Sequence, residues 1–275
     1  MQSWFYILLL FIACSCGNTS KVNPSPPGYD FYRPGLVNLP GELDEISGLS
    51  YYAKDTSLFA ISDEKGVLFK IHTGIPTRIS KWKVSPKADF EDIVLLDSIF
   101  YLLKANGVIQ LVKFVGKDSI YNQEFPSAIS GENDFETLYY DPSIKRLVAL
   151  CKECEVDKKG VVSAILFDPQ TFNENIINID VSALTKKDEK KSFHLKAAAA
   201  AIHPITGELY ILSSVNRLLV VMNKNKEILA SYPLDPGLFK QPEGLCFSDD
   251  GMMMISNEAA DVGTANILFF RYKKT

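Results

Sequence analysis

The sequence predicts an all-β fold, a single β-propeller of five four-stranded blades closed by an N-terminal strand. Three observations carry this expectation. Groups of short strand-like runs recur about every 45 residues, the last group is one strand short, and a spare strand-like segment precedes the first group. Short strands of that period separated by turn residues are what a propeller requires. One twisted four-stranded sheet cannot bury both faces alone, so neighbours around an axis must cover them.

Taken from the N-terminus, residues 1–13 read as a signal peptide. Trp4 to Ala13 is continuously apolar and no charge occurs before Thr19. Ten apolar residues cannot cross a hydrocarbon core that needs about 20 helical residues, whereas the length suits a signal-peptide core. The run ends at Ile12-Ala13-Cys14-Ser15-Cys16-Gly17, which resembles a bacterial lipobox with Cys14 as the lipidated residue and Cys16 as the alternative. A non-lipidated secretory signal is the other reading, since no Lys or Arg precedes the apolar run. Residues 14–28, rich in Ser, Asn and Pro, form a tether reaching about 20 Å. The expected protein is exported and anchored in the cell envelope, at the periplasm or outer membrane.

The propeller is expected over residues 29–275. The first blade runs through Glu45-Ile46-Ser47-Gly48-Leu49, Leu58–Ser62, Val67–His72 and Thr77–Val84. The second opens Asp89-Phe90-Glu91-Asp92-Ile93 and continues with Ile99–Leu103, Val108–Phe114 and Ser119–Phe125. The third opens Asp134-Phe135-Glu136-Thr137-Leu138, then Arg146–Cys151, Val161–Phe167 and Asn175–Val181. The fourth opens with the alanine run Ala197–Ala201, then Leu209–Ser213, Leu218–Asn223 and Ile228–Leu234. The fifth has Gln241-Pro242-Glu243-Gly244-Leu245, Met252–Ser256 and Asn266–Tyr272.

Equivalent apolar positions fall at Leu49, Ile93, Leu138, Ala200 and Leu245, at intervals of 44, 45, 62 and 45 residues. The long interval holds Ser182–Lys196, a charged stretch read as a solvated insertion. Alanines would suit a helix by propensity, so their assignment to an inner strand rests on the period. Small side chains there let the blades approach near the axis. Tyr29–Leu39, with Phe31, Val37 and Leu39 on one alternating face, supplies the missing strand and covers an open edge. Six blades are the alternative, and they would require an inner-strand motif between 150 and 196 that the sequence does not display.

The 29 Lys and Arg against 33 Asp and Glu give a net charge of −4, which excludes a phosphate-backbone binder. Five scattered cysteines do not make a disulfide framework. Cys151-Lys152-Glu153-Cys154 follows a strand rather than opening a helix, so it reads as a disulfide or as two inert thiols, not as a thioredoxin-like centre. No second C-x-x-C completes a zinc site, and no histidine is near it in sequence. Cys246 reads as core, and His203 as a partly exposed turn residue. No nucleophile elbow, phosphate loop or dinucleotide fingerprint occurs.

The openings Glu45-Ile46-Ser47-Gly48-Leu49 and Gln241-Pro242-Glu243-Gly244-Leu245, with Ser62-Asp63-Glu64, Asp89-Phe90-Glu91-Asp92-Ile93, Leu212-Ser213-Ser214 and Ser256-Asn257-Glu258, resemble the SdiA-regulated family of bacterial propeller proteins. The resemblance spans about residues 36 to 272. It implies an exported or membrane-associated propeller with a divalent-cation site. The chain departs from the family at Ala197–Ala201, where relatives carry an acidic or polar residue and Ser-Gly.

First strands of blades line the central channel, so Glu91, Glu136 and Glu243 should take equivalent places there. Glu45 sits two residues earlier, in the position of Asp89 and Asp134. Second-strand ends add Asp63, Lys104, Asn106, Glu153, Asn257 and Glu258. Two unit charges ~6 Å apart at an effective dielectric of 20 repel by roughly 2.8 kcal/mol, so a converging set demands relief. A divalent cation held by Glu45, Glu91, Glu136, Glu243 and Glu258 is one source, Ca²⁺ before Mg²⁺ because the donors are all oxygen. Neutralisation by Lys104 and Lys152 is the other. The function expected is a monomeric, membrane-tethered binding or scaffold module for a small molecule, glycan or protein. The alternative is a Ca²⁺-dependent hydrolase of a lactone, phosphate ester or similar anion, with a glutamate as general base.

Overall fold

A computed structural model describes residues 24–62, 65–86, 88–116, 119–185, 193–259 and 263–274. The lipidation candidates Cys14 and Cys16, the signal segment, Asp63 and the centre of the charged insertion lie outside the described residues.

Five four-stranded antiparallel sheets follow one another along the chain. Strand β1 (Gly35–Asn38) stands ahead of them. Blade one is β2 (Ile46–Tyr52), β3 (Ser57–Ser62), β4 (Val67–His72) and β5 (Arg78–Lys83). Blade two is β6 (Phe90–Leu96), β7 (Ile99–Lys104), β8 (Ile109–Phe114) and β9 (Ile120–Phe125). Blade three is β10 (Asn133–Asp141), β11 (Arg146–Cys154), β12 (Val161–Phe167) and β13 (Glu174–Asp180). Blade four is β14 (Ala199–Ile202), β15 (Leu209–Ser213), β16 (Leu218–Met222) and β17 (Ile228–Pro233). Blade five has β18 (Pro242–Phe247), β19 (Met253–Asn257) and β20 (Asn266–Phe270), with β1 as its outermost strand.

The inner strands touch in the cyclic order β2, β6, β10, β14, β18 and back to β2, so the sheets close a ring of five blades. The alanine run does form an inner strand, and Ala197 to Ala200 are all buried. Each second strand is mostly buried, whereas outer strands such as β5 and β9 are half-exposed. That gradient is the one expected for sheets stacked around an axis with their outermost edges in water. Five apolar clusters fill the gaps between successive blades.

Closure comes from the N-terminal segment, though its strand is shorter than the sequence suggests. β1 pairs antiparallel with β20, placing Val37 opposite Ile267. Phe31 packs its ring 4.8 Å from that of Phe270 and 5.3 Å from that of Phe239. The Tyr29 hydroxyl donates to the Gly251 carbonyl at 2.6 Å. These contacts join chain segments more than 200 residues apart and remove the edge of blade five from solvent.

One turn residue departs from expectation. His203 is fully buried rather than partly exposed, because Tyr29, Tyr210, Phe247 and Tyr272 pack around its ring. Its Nδ1 accepts the N–H groups of Ile205 and Thr206, both at 3.2 Å, which fixes the neutral imidazole with its proton on Nε2. Burial lowers its pKa, opposed by Glu208. The unfolded chain therefore takes up a proton more readily, and stability falls as pH drops below about 6.5. His203→Asn keeps an acceptor but does not titrate. In chemical denaturation, the advantage of wild type over this variant should shrink between pH 7 and pH 5; a constant difference would contradict this account.

Candidate functional site

The inner strands begin, and the second strands end, at the same mouth of the ring. The register there explains why glutamates gather. In blade two, Phe90 pairs with Lys104 and Asp92 with Leu103, leaving Glu91 as an extra residue. In blade three, Phe135 pairs with Cys151 and Thr137 with Leu150, leaving Glu136 extra. In blade five, Pro242 pairs with Asn257 and Gly244 with Ser256, leaving Glu243 extra. A bulge bends the strand and re-aims the unpaired side chain, so three blades use one device at one position. Blade four pairs without a shift and carries alanine there.

The bulges bring Glu136 and Glu243 into electrostatic contact with Glu258, the residue after β19, and Glu45 interacts with Glu258 in turn. Burial, then the charges of Glu136 and Glu258, push the Glu243 carboxyl up to about 8, although the Ser214 hydroxyl donates a hydrogen bond to it. Burial, then Glu45 and Glu136, raise Glu258 to about 7, although the Gln241 amide donates to it. Burial also raises Glu136, against the pull of Lys152.

Lys152 is the main neutralising group. It is the extra residue on β11, facing the Glu136 bulge across the pair. Its ammonium bonds Glu136 and lies 3.4 Å from Asp134. Burial lowers its pKa, but Glu136 and Asp134 outweigh that and keep it charged. Lys104 does not share this role: it turns outward to Glu124 on β9, at 2.7 Å, with its ammonium 5.6 Å from the Phe90 ring centre.

The other predicted residues divide. Glu45 is exposed and 3.5 Å from Lys65, at the rim rather than in the channel. Glu153 is exposed and pairs with Lys196 at 2.7 Å. Glu91 is half-buried at the second position of β6. Asp89 and Asn106 are exposed, and Asn106 accepts the Val108 N–H of its own turn at 3.2 Å. Asn257 is fully buried; its amide donates to Asn266 at 3.0 Å, while its Oδ1 has no hydrogen-bond partner.

Sequence reasoning missed Asp92, the deepest acid. It is buried below the glutamates, where the other inner strands carry Gly48, Thr137, Ala199 and Gly244. Its two oxygens accept the Ile93 and Leu138 N–H groups, each at 2.7 Å, tying blade two to blade three. Burial raises its pKa well above the usual carboxylate range. Gly48 makes room: a Cβ there would lie 2.5 Å from the Asp92 carboxylate. An acid in a ring of small residues was the available signal. Below it, Leu49, Ile93, Leu138, Ala200 and Leu245 line one cavity of about 210 Å³ at the opposite mouth, which confirms their equivalence in the repeat.

The donor set at the acidic mouth suits a hard cation in kind. It offers carboxylates and the Ser214 hydroxyl, with no sulfur or imidazole among them. It is not a closed cage: among the described residues no three of these carboxylates bring oxygens within 4.8 Å of one another.

Comparison with solved structures places the ring among known propellers. Aldose sugar dehydrogenase from Streptomyces coelicolor, in its PQQ-bound form, aligns over 90% of this chain and 100% of its own, with a TM-score of 0.59 and 12% identity. A luciferin-regenerating enzyme aligns over 87% and 95%, with a TM-score of 0.52 and 11% identity. Likeness at this identity concerns the fold alone. No curated protein sequence matches. The sequence does match the SdiA-regulated family over residues 31–262, from the closing segment into the fifth blade, and the chain belongs to that family.

Proposed function

We propose that this propeller is an exported, membrane-tethered binding module whose acidic mouth takes up a divalent cation, Ca²⁺ ahead of Mg²⁺, as part of recognising its ligand. The observation that carries the reading is the Glu243 carboxyl, enclosed between Glu136 and Glu258 and pushed up to about 8. Such a group is held up first by burial and then by the like charges of Glu136 and Glu258, and Lys152 alone does not offset them. Glu136, Glu243 and Glu258 would close in from their present spread to hold the ion, and an anionic or hydroxyl-bearing ligand would complete its coordination and meet its positive charge. A hydrolase would need at least three oxygens converging on one point. The spread of the carboxylates favours binding over that chemistry.

The test is thermal unfolding of the full chain with and without millimolar Ca²⁺. At 100-fold excess over Kd the ion should stabilise by ~2.7 kcal/mol, a rise of roughly 5–10 °C for a chain of this size. Glu136→Gln and Glu243→Gln should each remove most of that rise. A flat response to both Ca²⁺ and Mg²⁺ would refute the cation site. The tether rests on Cys14 and its preceding apolar run; Cys14→Ser should move the protein from the membrane to the soluble fraction, and continued membrane association would argue against Cys14 as the anchor.

A further inference from the structure

Beside the mouth, at the end of β11, Cys151 and Cys154 form a disulfide that is buried in the apolar layer between blades two and three. The sequence supplies only these two sulfurs, but the fold adds a third donor. Asp157, in the turn after β11, has a carboxylate oxygen within 4.8 Å of both sulfurs. Its carboxylate is already oriented, accepting the Cys154 N–H at 3.2 Å and the Ser163 N–H at 3.0 Å. Donors of that kind behind a metal ligand fix its direction. Cys154 also lines an open cavity of about 830 Å³ whose other walls are Glu132, Asn133, Asp134, Glu153 and Glu155. Of the four carboxylates there, Asp134 and Glu153 face Lys152 and Lys196, and the charge of Glu132 and Glu155 leaves the entrance biased toward cations.

We propose that reduction of the Cys151–Cys154 bond creates a thiophilic metal site, in which both thiolates and Asp157 capture Zn²⁺ or a similar divalent ion. A dithiol supplies two electrons and two protons: the Cys151–Cys154 bond breaks, two thiols form, and the reductant closes to its own disulfide. The metal then displaces both thiol protons, forms two metal–sulfur bonds and takes the carboxylate as third ligand, with water completing a tetrahedron. Zn–S bonds of about 2.3 Å set the sulfurs roughly 3.8 Å apart. The cysteines must therefore separate, and the extra residue Lys152 between them on the bulged strand provides the slack. In the oxidised chain each sulfur is bonded to the other and the site is closed, so redox state gates metal capture. The donors are two sulfurs and Asp157 rather than Glu136, Glu243 and Glu258, so different variants test this site and the calcium reading.

The experiment uses the full chain, reduced with a water-soluble phosphine that is itself oxidised to the phosphine oxide, then freed of reductant without oxygen and titrated with Co²⁺. The expected result is a thiolate-to-cobalt charge-transfer band saturating at one ion per chain, two protons released per ion, and loss of the band when Zn²⁺ is added. Cys154→Ser should abolish the band, and Asp157→Asn should weaken binding by at least about tenfold. No band in reduced wild type, equal binding by the oxidised chain, or unchanged affinity in Asp157→Asn would each overturn the proposal.

Discussion

Glu243→Gln should stabilise the metal-free protein at pH 8.5 and leave it little changed at pH 4.5. The wild-type carboxyl titrates at about 8 in the folded chain and near 4.3 when unfolded. A group whose folded pKa is raised favours folding fully below its unfolded pKa, and that contribution is lost as pH climbs through the folded one. Metal-free wild type should thus weaken steadily from pH 4.5 to pH 8, by about 3–5 kcal/mol from this residue. Glutamine resembles the protonated form and does not titrate, so the variant escapes the loss. At alkaline pH its midpoint should exceed that of wild type by roughly 10 °C. Thermal unfolding across the pH range provides the measurement, and parallel curves for the two proteins would count against an enclosed, under-neutralised carboxyl. Stabilisation by deleting a charge, joined to loss of the Ca²⁺ response, is the signature of a residue kept for binding rather than for folding.

Asp92→Ala should act in the opposite direction. It removes the acceptor of the Ile93 and Leu138 N–H groups inside the channel wall. Each buried donor left unsatisfied costs about 1–3 kcal/mol, and relief of the enclosed carboxyl offsets part of the sum. A net loss of about 2–4 kcal/mol is expected, seen as a midpoint lower by roughly 5–15 °C. Asp92→Asn retains one acceptor oxygen and should fall between the two. An alanine variant as stable as wild type would show that Asp92 does not link blades two and three.

The ring itself was legible because its signal is repetition. Leu49, Ile93, Leu138, Ala200 and Leu245 keep a spacing of 44 or 45 residues except across the charged insertion, and they line one cavity. The alanine run could be read as strand only through that spacing. Closure was legible in the same way: a group one strand short and a spare alternating segment call for each other, and β1 pairs with β20.

The site was less legible because it depends on register. A strict period-2 pattern would have turned neighbouring residues to opposite faces, and nothing in Phe90-Glu91-Asp92 announces that Glu91 is skipped in the ladder. The same holds for Lys152, whose partnership with Glu136 follows from two bulges meeting on adjacent strands. Lys104 ends the second strand of blade two as Lys152 lies near the end of that of blade three, yet it turns to Glu124. The burial of His203 was out of reach for another reason. Its turn motif reads as solvent-exposed, and the rings that cover it include Tyr29, which arrives from the far end of the chain.

Glu136, Glu243 and Glu258 form one enclosed set with too little positive charge among them. Carbon-13 NMR of side-chain carboxyls in the metal-free protein, assigned by Glu243→Gln, reads that directly. A midpoint for Glu243 of about 8, moving downward on addition of Ca²⁺, is the predicted result. A midpoint near 4.3, the value of a solvated glutamate, would contradict it.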